Sequence, residues 1–67
     1  MYPWAEFFEE LYKFPNQWAE FPQTIKNATS AYSQAKKYKD VDVKCVGNPD
    51  TGEWTAYFKF IQEDEVF

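Results

Sequence analysis

Residues 41–61 have the sequence VDVKCVGNPDTGEWTAYFKFI, in which two runs alternate between apolar and polar side chains. The first run covers 41–45 and the second covers 54–60. A period of two, in β-branched and aromatic residues, is typical of half-buried β-strands. The intervening NPDTG is a turn sequence, because Pro49 fixes φ at the first turn position and Gly52 can adopt a left-handed conformation. The sequence therefore predicts an antiparallel β-hairpin over 41–61.

The turn also predicts the register of this hairpin. With 49–52 as the loop, Asn48 faces Glu53, and counting outward places the apolar pairs on one face. These pairs are Gly47–Trp54, Cys45–Ala56, Val43–Phe58 and Val41–Phe60. The opposite face pairs Asp42 with Lys59, Lys44 with Tyr57 and Val46 with Thr55. A slip by one residue would send half of the apolar side chains to the other face, so the pattern and the turn favour the same register.

The N-terminal segment predicts a helix over about 3–11, with Pro3 as a favourable first residue. Its apolar residues have the spacing i, i+3, i+4 and i+7 of one helix face, and they are Trp4, Phe7, Phe8 and Leu11. The helix should end near Leu11, because Pro15 disfavours helical backbone in the residue before it. Residues 11–14 could instead form a short strand at the edge of the hairpin, and the sequence allows both interpretations.

A central helix is predicted over about 23–38, a segment that contains no glycine or proline. One face of it would carry Ile25, Ala28, Tyr32 and Ala35, with Ala31 beside them. The small alanines would let the helix lie close against the hairpin.

Together these elements predict an α+β fold: an N-terminal helix and a central helix packed on an antiparallel β-hairpin, with 11–14 as the optional third edge strand. The 67 residues allow one domain, which ends in an acidic tail over 62–67. Two strands alone make a thin sheet, so a third strand or dimerisation would add stability.

The connector at 15–22 carries two large rings between its flanking prolines. Trp18 and Phe21 are unusual in a solvated loop. We expect both rings to fold back onto the core, and the alternative is that they stay exposed as a contact patch.

The composition argues against most enzyme chemistries. The chain contains no histidine and no arginine, so the usual general base at neutral pH and the commonest metal ligand are missing. Two glycines are too few for a phosphate-binding loop. The one cysteine, Cys45, cannot form an internal disulfide, and a reduced cytoplasm is the simplest compartment for it. We therefore predict a cytoplasmic, non-enzymatic protein without cofactor, metal or membrane span.

Four short stretches lie along the chain: PWAEFF at 3–8, WAEF at 18–21, AKK at 35–37 and VDVK at 41–44. This layout resembles that of a family of small accessory proteins encoded by tailed bacteriophages. The resemblance spans most of the chain, which departs from the pattern in lacking arginine and in its glycine-poor connector. The resemblance implies a protein made in a bacterial cytoplasm that binds and modulates a host protein, and it assigns a role to no individual residue.

Two functions follow from these patterns. The first is a protein-interaction module, because aromatic side chains make up 22% of the residues and are the usual anchors of interfaces. Its partner would be a host protein or a second copy of the chain. Its candidate binding residues are Trp4, Trp18, Phe21, Tyr57 and Phe67.

The alternative is a nucleic-acid-binding accessory protein. Residues 24–44 carry five lysines against two aspartates, between acidic ends. These lysines are Lys26, Lys36, Lys37, Lys39 and Lys44. A stacking surface of Tyr32, Lys44, Tyr57 and Lys59 is a further arrangement of this kind. The absence of arginine and the net charge of −4 argue against nucleic acid, because such binding depends on neutralising phosphates.

Overall fold

Two helices and a three-stranded antiparallel sheet make up residues 3–62, the part of the chain that the computed structural model describes. In chain order, the elements are helix α1 (Trp4–Leu11), strand β1 (Ala19–Glu20), helix α2 (Ala28–Lys36), strand β2 (Val41–Asn48) and strand β3 (Glu53–Phe60). This architecture confirms the α+β prediction. Residues 63–67, which hold most of the predicted acidic tail, lie outside the described part.

Strands β2 and β3 pair in the predicted register. Val43 lies opposite Phe58 and Asn48 lies opposite Glu53, with every pair between them in step. Gly52 has a φ of 72°, and its N–H donates to the Asn48 carbonyl at 2.8 Å. The turn sequence therefore closes the hairpin with glycine at the one loop position that needs a left-handed backbone.

The third strand does not lie at 11–14. Leu11 is the last residue of α1, and the N–H groups of Lys13 and Phe14 donate to carbonyls of that helix in a turn. The third strand is instead β1, within the connector, and it pairs with β3 on the side opposite β2. Pairing extends beyond β1, because Asn16 and Phe21 donate N–H groups to carbonyls of β3 at 2.7 and 2.8 Å.

Strand β3 is thus the central strand, and the connector supplies its second neighbour. The prolines at 15 and 22 do not prevent this arrangement, because an edge strand tolerates residues that cannot donate a backbone hydrogen bond. Further along, the N–H and C=O of Ile25 both bond to Trp54, at 2.9 and 2.7 Å. The chain from 16 to 25 therefore follows the edge of β3 instead of forming a solvated loop.

Helix α2 begins later than the sequence predicts, at Ala28 instead of about 23. Ile25 is held in the sheet by its pairing with Trp54, so it cannot join a helix. Asn27 is the N-cap, and its side-chain oxygen accepts the N–H of Thr29 at 2.9 Å. The buried face shifts accordingly: Ala31 and Ala35 are buried, whereas Tyr32, placed on that face by the sequence, is 44% exposed.

The core lies between the sheet and both helices. It contains Phe8, Leu11, Phe21, Ile25, Ala31, Ala35, Ala56 and Phe58. Phe58 is fully buried, and its ring lies edge-on to those of Phe8 and Trp4, with centroids 4.9 and 5.9 Å apart. All these side chains belong to one cluster, so α1 and α2 cover the same face of the sheet.

Within residues 3–62, neither helix is long and apolar enough to cross a membrane.

We expect Phe58→Ala to lower the free energy of unfolding by about 3–5 kcal/mol, because it removes the ring at the centre of the core. A loss of that size approaches the whole stability of a small domain, so the variant should be largely unfolded at room temperature. Phe14→Ala is the matched control, since Phe14 is 57% exposed. Urea denaturation followed by circular dichroism measures both. Equal losses for the two variants would contradict the position of the core.

Candidate functional site on the open sheet face

Trp18 reaches the outer face of the sheet because side chains alternate along an extended segment. Ala19 lies opposite Phe58 and points with it towards the core. Trp18, one residue earlier, points to the other face and is 42% exposed, whereas Phe21 is 1% exposed. Of the two connector rings, Phe21 therefore folds back onto the core, whereas Trp18 stays exposed.

Two lysines lie against the Trp18 ring. The Nζ atoms of Lys44 and Lys59 are 4.3 and 5.0 Å from its centroid, and that of Lys44 is also 5.7 Å from the centroid of Tyr57. These distances fall within the roughly 6 Å over which a cation is attracted to an aromatic face. We call Trp18, Lys44, Tyr57 and Lys59 the Trp18 surface.

Carboxylates balance the charge of the Trp18 surface. Asp42 lies opposite Lys59, and Glu20 lies opposite Tyr57. Desolvation raises the pKa of Tyr57, and the charge of Glu20 and a hydrogen bond to its carboxylate raise it further. The phenol therefore stays neutral at physiological pH, and the face offers rings and ammonium groups in a mixed-charge setting.

An apolar hollow also borders Trp18. It has a volume of about 190 Å³ and is lined by Phe7, Glu10, Leu11, Phe14, Gln17, Trp18 and Ala19. Phe14, at its rim, is 57% exposed. Lys13 and Glu10 form an exposed ion pair at 3.2 Å, which stabilises the fold little. We call this hollow the Phe14 notch.

The structure brings together two of the five predicted protein-binding residues. Trp18 and Tyr57 share the Trp18 surface. Trp4 is half-buried and stacks on Phe21, with centroids 4.2 Å apart. Phe21 is buried in the core, so it cannot be an exposed anchor, and Phe67 lies outside the described residues.

The predicted nucleic-acid-binding lysines do not form one surface. Lys26 precedes α2, whereas Lys36 and Lys37 end it, so a helix of nine residues separates the first from the others. Lys39 follows in the turn before β2. Lys44 lies on the outer face of the sheet, away from α2. Of the predicted stacking surface, Lys44, Tyr57 and Lys59 come together, and Tyr32 does not join them.

Sequence reasoning missed Phe14 as a surface residue. The sequence places Phe14 either just after a helix or in the optional strand at 11–14, and neither placement marks it as exposed. Its exposure follows from its place in the turn after α1, which no local pattern in the sequence indicates.

Cys45 points towards the core side of the hairpin and is half-buried. Burial raises the pKa of its thiol above the ordinary 9.0, and a hydrogen bond with Tyr32 opposes that rise. Among residues 3–62, no three side chains of the metal-binding types cluster.

No protein-family model matches the chain, and no curated protein or solved structure matches it either.

We expect the rate of Cys45 alkylation by iodoacetamide to keep rising as the pH passes 9.0, because the thiolate is scarce below its raised pKa. Tyr32→Phe removes the hydrogen bond that stabilises the thiolate, so the pKa should rise further and the rate at a given pH should fall. A plateau near neutral pH, or faster reaction in Tyr32→Phe, would contradict this environment.

Proposed function

We propose that the chain is a small, non-enzymatic protein-interaction module that binds a partner protein through the Trp18 surface and the Phe14 notch. The observation that carries this proposal is the position of Trp18. Its ring is 42% exposed, lies 4.3 Å from the Lys44 ammonium, and forms one wall of an apolar notch. Tryptophan is one of the residue types that most often dominate the binding energy of an interface.

The arrangement favours a partner segment with an apolar side chain next to a carboxylate. The apolar group would fill the Phe14 notch, which α1 and β1 hold open. The carboxylate would then lie near Lys44 or Lys59, whose ammonium groups are already positioned over the Trp18 ring. Because the Trp18 ring already attracts both ammonium groups, less side-chain entropy would be lost on association.

The origin of the protein belongs to the same proposal. The resemblance to accessory proteins of tailed bacteriophages supports a chain that acts in a bacterial cytoplasm and modulates a host protein. Only the sequence stretches named above support this part.

The test is a pull-down from bacterial lysate with the full chain, followed by measured affinities of the purified partner for three forms. Trp18→Ala should weaken binding by at least about 2 kcal/mol, or roughly 30-fold, as expected for an interface anchor. Trp54→Ala is the matched control, because Trp54 is 36% exposed but lies outside the Trp18 surface. Equal affinities for wild type and Trp18→Ala, or no saturable partner at all, would count against the proposal.

A second candidate function is binding of single-stranded nucleic acid by the same surface. The observation that favours it is the grouping of two rings and two ammonium groups on an open sheet face. Anisotropy of a labelled oligonucleotide tests it: affinity should fall steeply with salt and be lost in Trp18→Ala. The absence of binding at low salt would remove this candidate.

A further inference from the structure

Among residues 3–62, strand β2 forms one edge of the sheet, and its outer side pairs with no other strand. The Ile61 N–H donates to the Asp40 carbonyl at 2.7 Å. Asp40 and Ile61, which follow the Val41–Phe60 pair in register, are therefore a hydrogen-bonded pair of the antiparallel ladder. Antiparallel pairs alternate between bonded and non-bonded, which directs the backbone groups of residues 42, 44, 46 and 48 towards β3. Those of 41, 43, 45 and 47 point outward.

No strand in the described part of the chain pairs with these outward groups. The strand order leaves β2 with β3 as its one neighbour, and no backbone bond from residues 3–62 reaches residues 41, 43, 45 or 47 from outside the hairpin. The strand is eight residues long and contains neither proline nor a bulge. Such an edge is a ready template for another strand.

The charges on β2 favour a second copy of the same strand. Two β2 strands can meet antiparallel with Val43 opposite Val43. Asp42 of each copy then faces Lys44 of the other, on the outer face of the sheet. In this alignment Val41 of each copy faces Cys45 of the other, so residues whose backbone groups point outward meet each other. The three bonded pairs are Val43–Val43 and two copies of Val41–Cys45. Together they supply about six backbone hydrogen bonds.

Neighbouring registers lack this match. A shift of two residues in one direction puts Asp42 opposite Asp42, and in the other direction puts Lys44 opposite Lys44. Like charges directly opposite each other on adjacent strands are destabilising. A shift of one residue would set outward backbone groups against inward ones. Among these registers, the one centred on Val43 satisfies both the backbone and the charges.

We propose that the chain forms a two-fold symmetric dimer in which the β2 strands pair antiparallel, centred on Val43. The two three-stranded sheets then become one sheet of six strands. The dimer uses the backbone edge of β2 and leaves the Trp18 ring free, so it goes beyond the proposed function. It shares Lys44 with the Trp18 surface, because that side chain would pair with Asp42 of the other copy. Both Trp18 surfaces lie on the same face of the joined sheet, because Asp42 and Lys44 face each other across the axis.

Charge reversal tests the register. Asp42→Lys puts lysines opposite each other at both sites, and Lys44→Asp does the same with aspartates, so each variant alone should dimerise about tenfold more weakly than wild type. A mixture of the two restores both ion pairs and should recover association. Sedimentation at up to about 1 mM protein suits a small, weak interface. A monomeric wild type, single variants that associate as wild type does, or a mixture without recovery would each overturn the proposal.

Disulfide trapping gives an independent test that does not rely on charge reversal. In a Cys45→Ala background, Asp42→Cys in one chain faces Lys44→Cys in the other at a non-bonded pair, with Cα atoms about 4.5 Å apart. The mixture should form a disulfide cross-link under mild oxidation, and it keeps the ion pair between Lys44 of the first chain and Asp42 of the second. Each variant alone should not cross-link, because the two cysteines of its dimer are diagonal neighbours with Cα atoms roughly 7–8 Å apart, too far for a disulfide. Equal cross-linking in all samples would overturn the proposed register.

Trp18→Ala separates this proposal from the proposed function. The variant should dimerise as wild type does, even though it loses partner binding. Loss of self-association in a folded Trp18→Ala protein would overturn the assignment of the dimer to the β2 edge. Circular dichroism establishes folding for every variant.

Discussion

Phe58 lies on the strand that has hydrogen-bonded neighbours on both sides, and the rest of the structure depends on its burial. Its ring contacts Phe8 from α1, and its backbone partner on the far side is Ala19 of the connector. A chain of 67 residues has little apolar surface to bury, so one aromatic cluster must hold both chain halves. The cluster does so because β3 presents Ala56 and Phe58, both fully buried, to a single layer of helices.

The same alternation that fills the core creates the open face. Each strand residue that points to the core has neighbours that point away from it, and the helices cover one side of the sheet. Trp18 and Tyr57 lie on the side that residues 3–62 leave uncovered, with the Lys44 ammonium 4.3 and 5.7 Å from their ring centroids. A two-layer fold therefore leaves one sheet face open, and the aromatic side chains that this chain places there are the basis of the proposed function. The β2 edge is a separate consequence of the same topology.

The sequence was most informative where local geometry alone decides the outcome. The turn at 49–52 and the alternating pattern predicted every pair of the hairpin, and the apolar spacing predicted α1. It was least informative where pairing with a segment distant in sequence determines the local structure. Nothing in the connector signals that β3 needs a second neighbour, so β1 was missed, and Ile25 was placed in a helix although Trp54 holds it in the sheet. The Trp18 surface was only partly foreseen for the same reason, since the side to which Trp18 points follows from that pairing.

Native-state hydrogen exchange of two connector amides tests the central position of β3 most directly. The N–H groups of Phe21 and Ile25 donate to carbonyls of Ala56 and Trp54 at 2.8 and 2.9 Å. If the connector completes the sheet, both amides should be protected as strongly as those that join β2 to β3, because they open only when the sheet unfolds. Exchange at the rate of an unstructured peptide, with the hairpin amides still protected, would contradict the account.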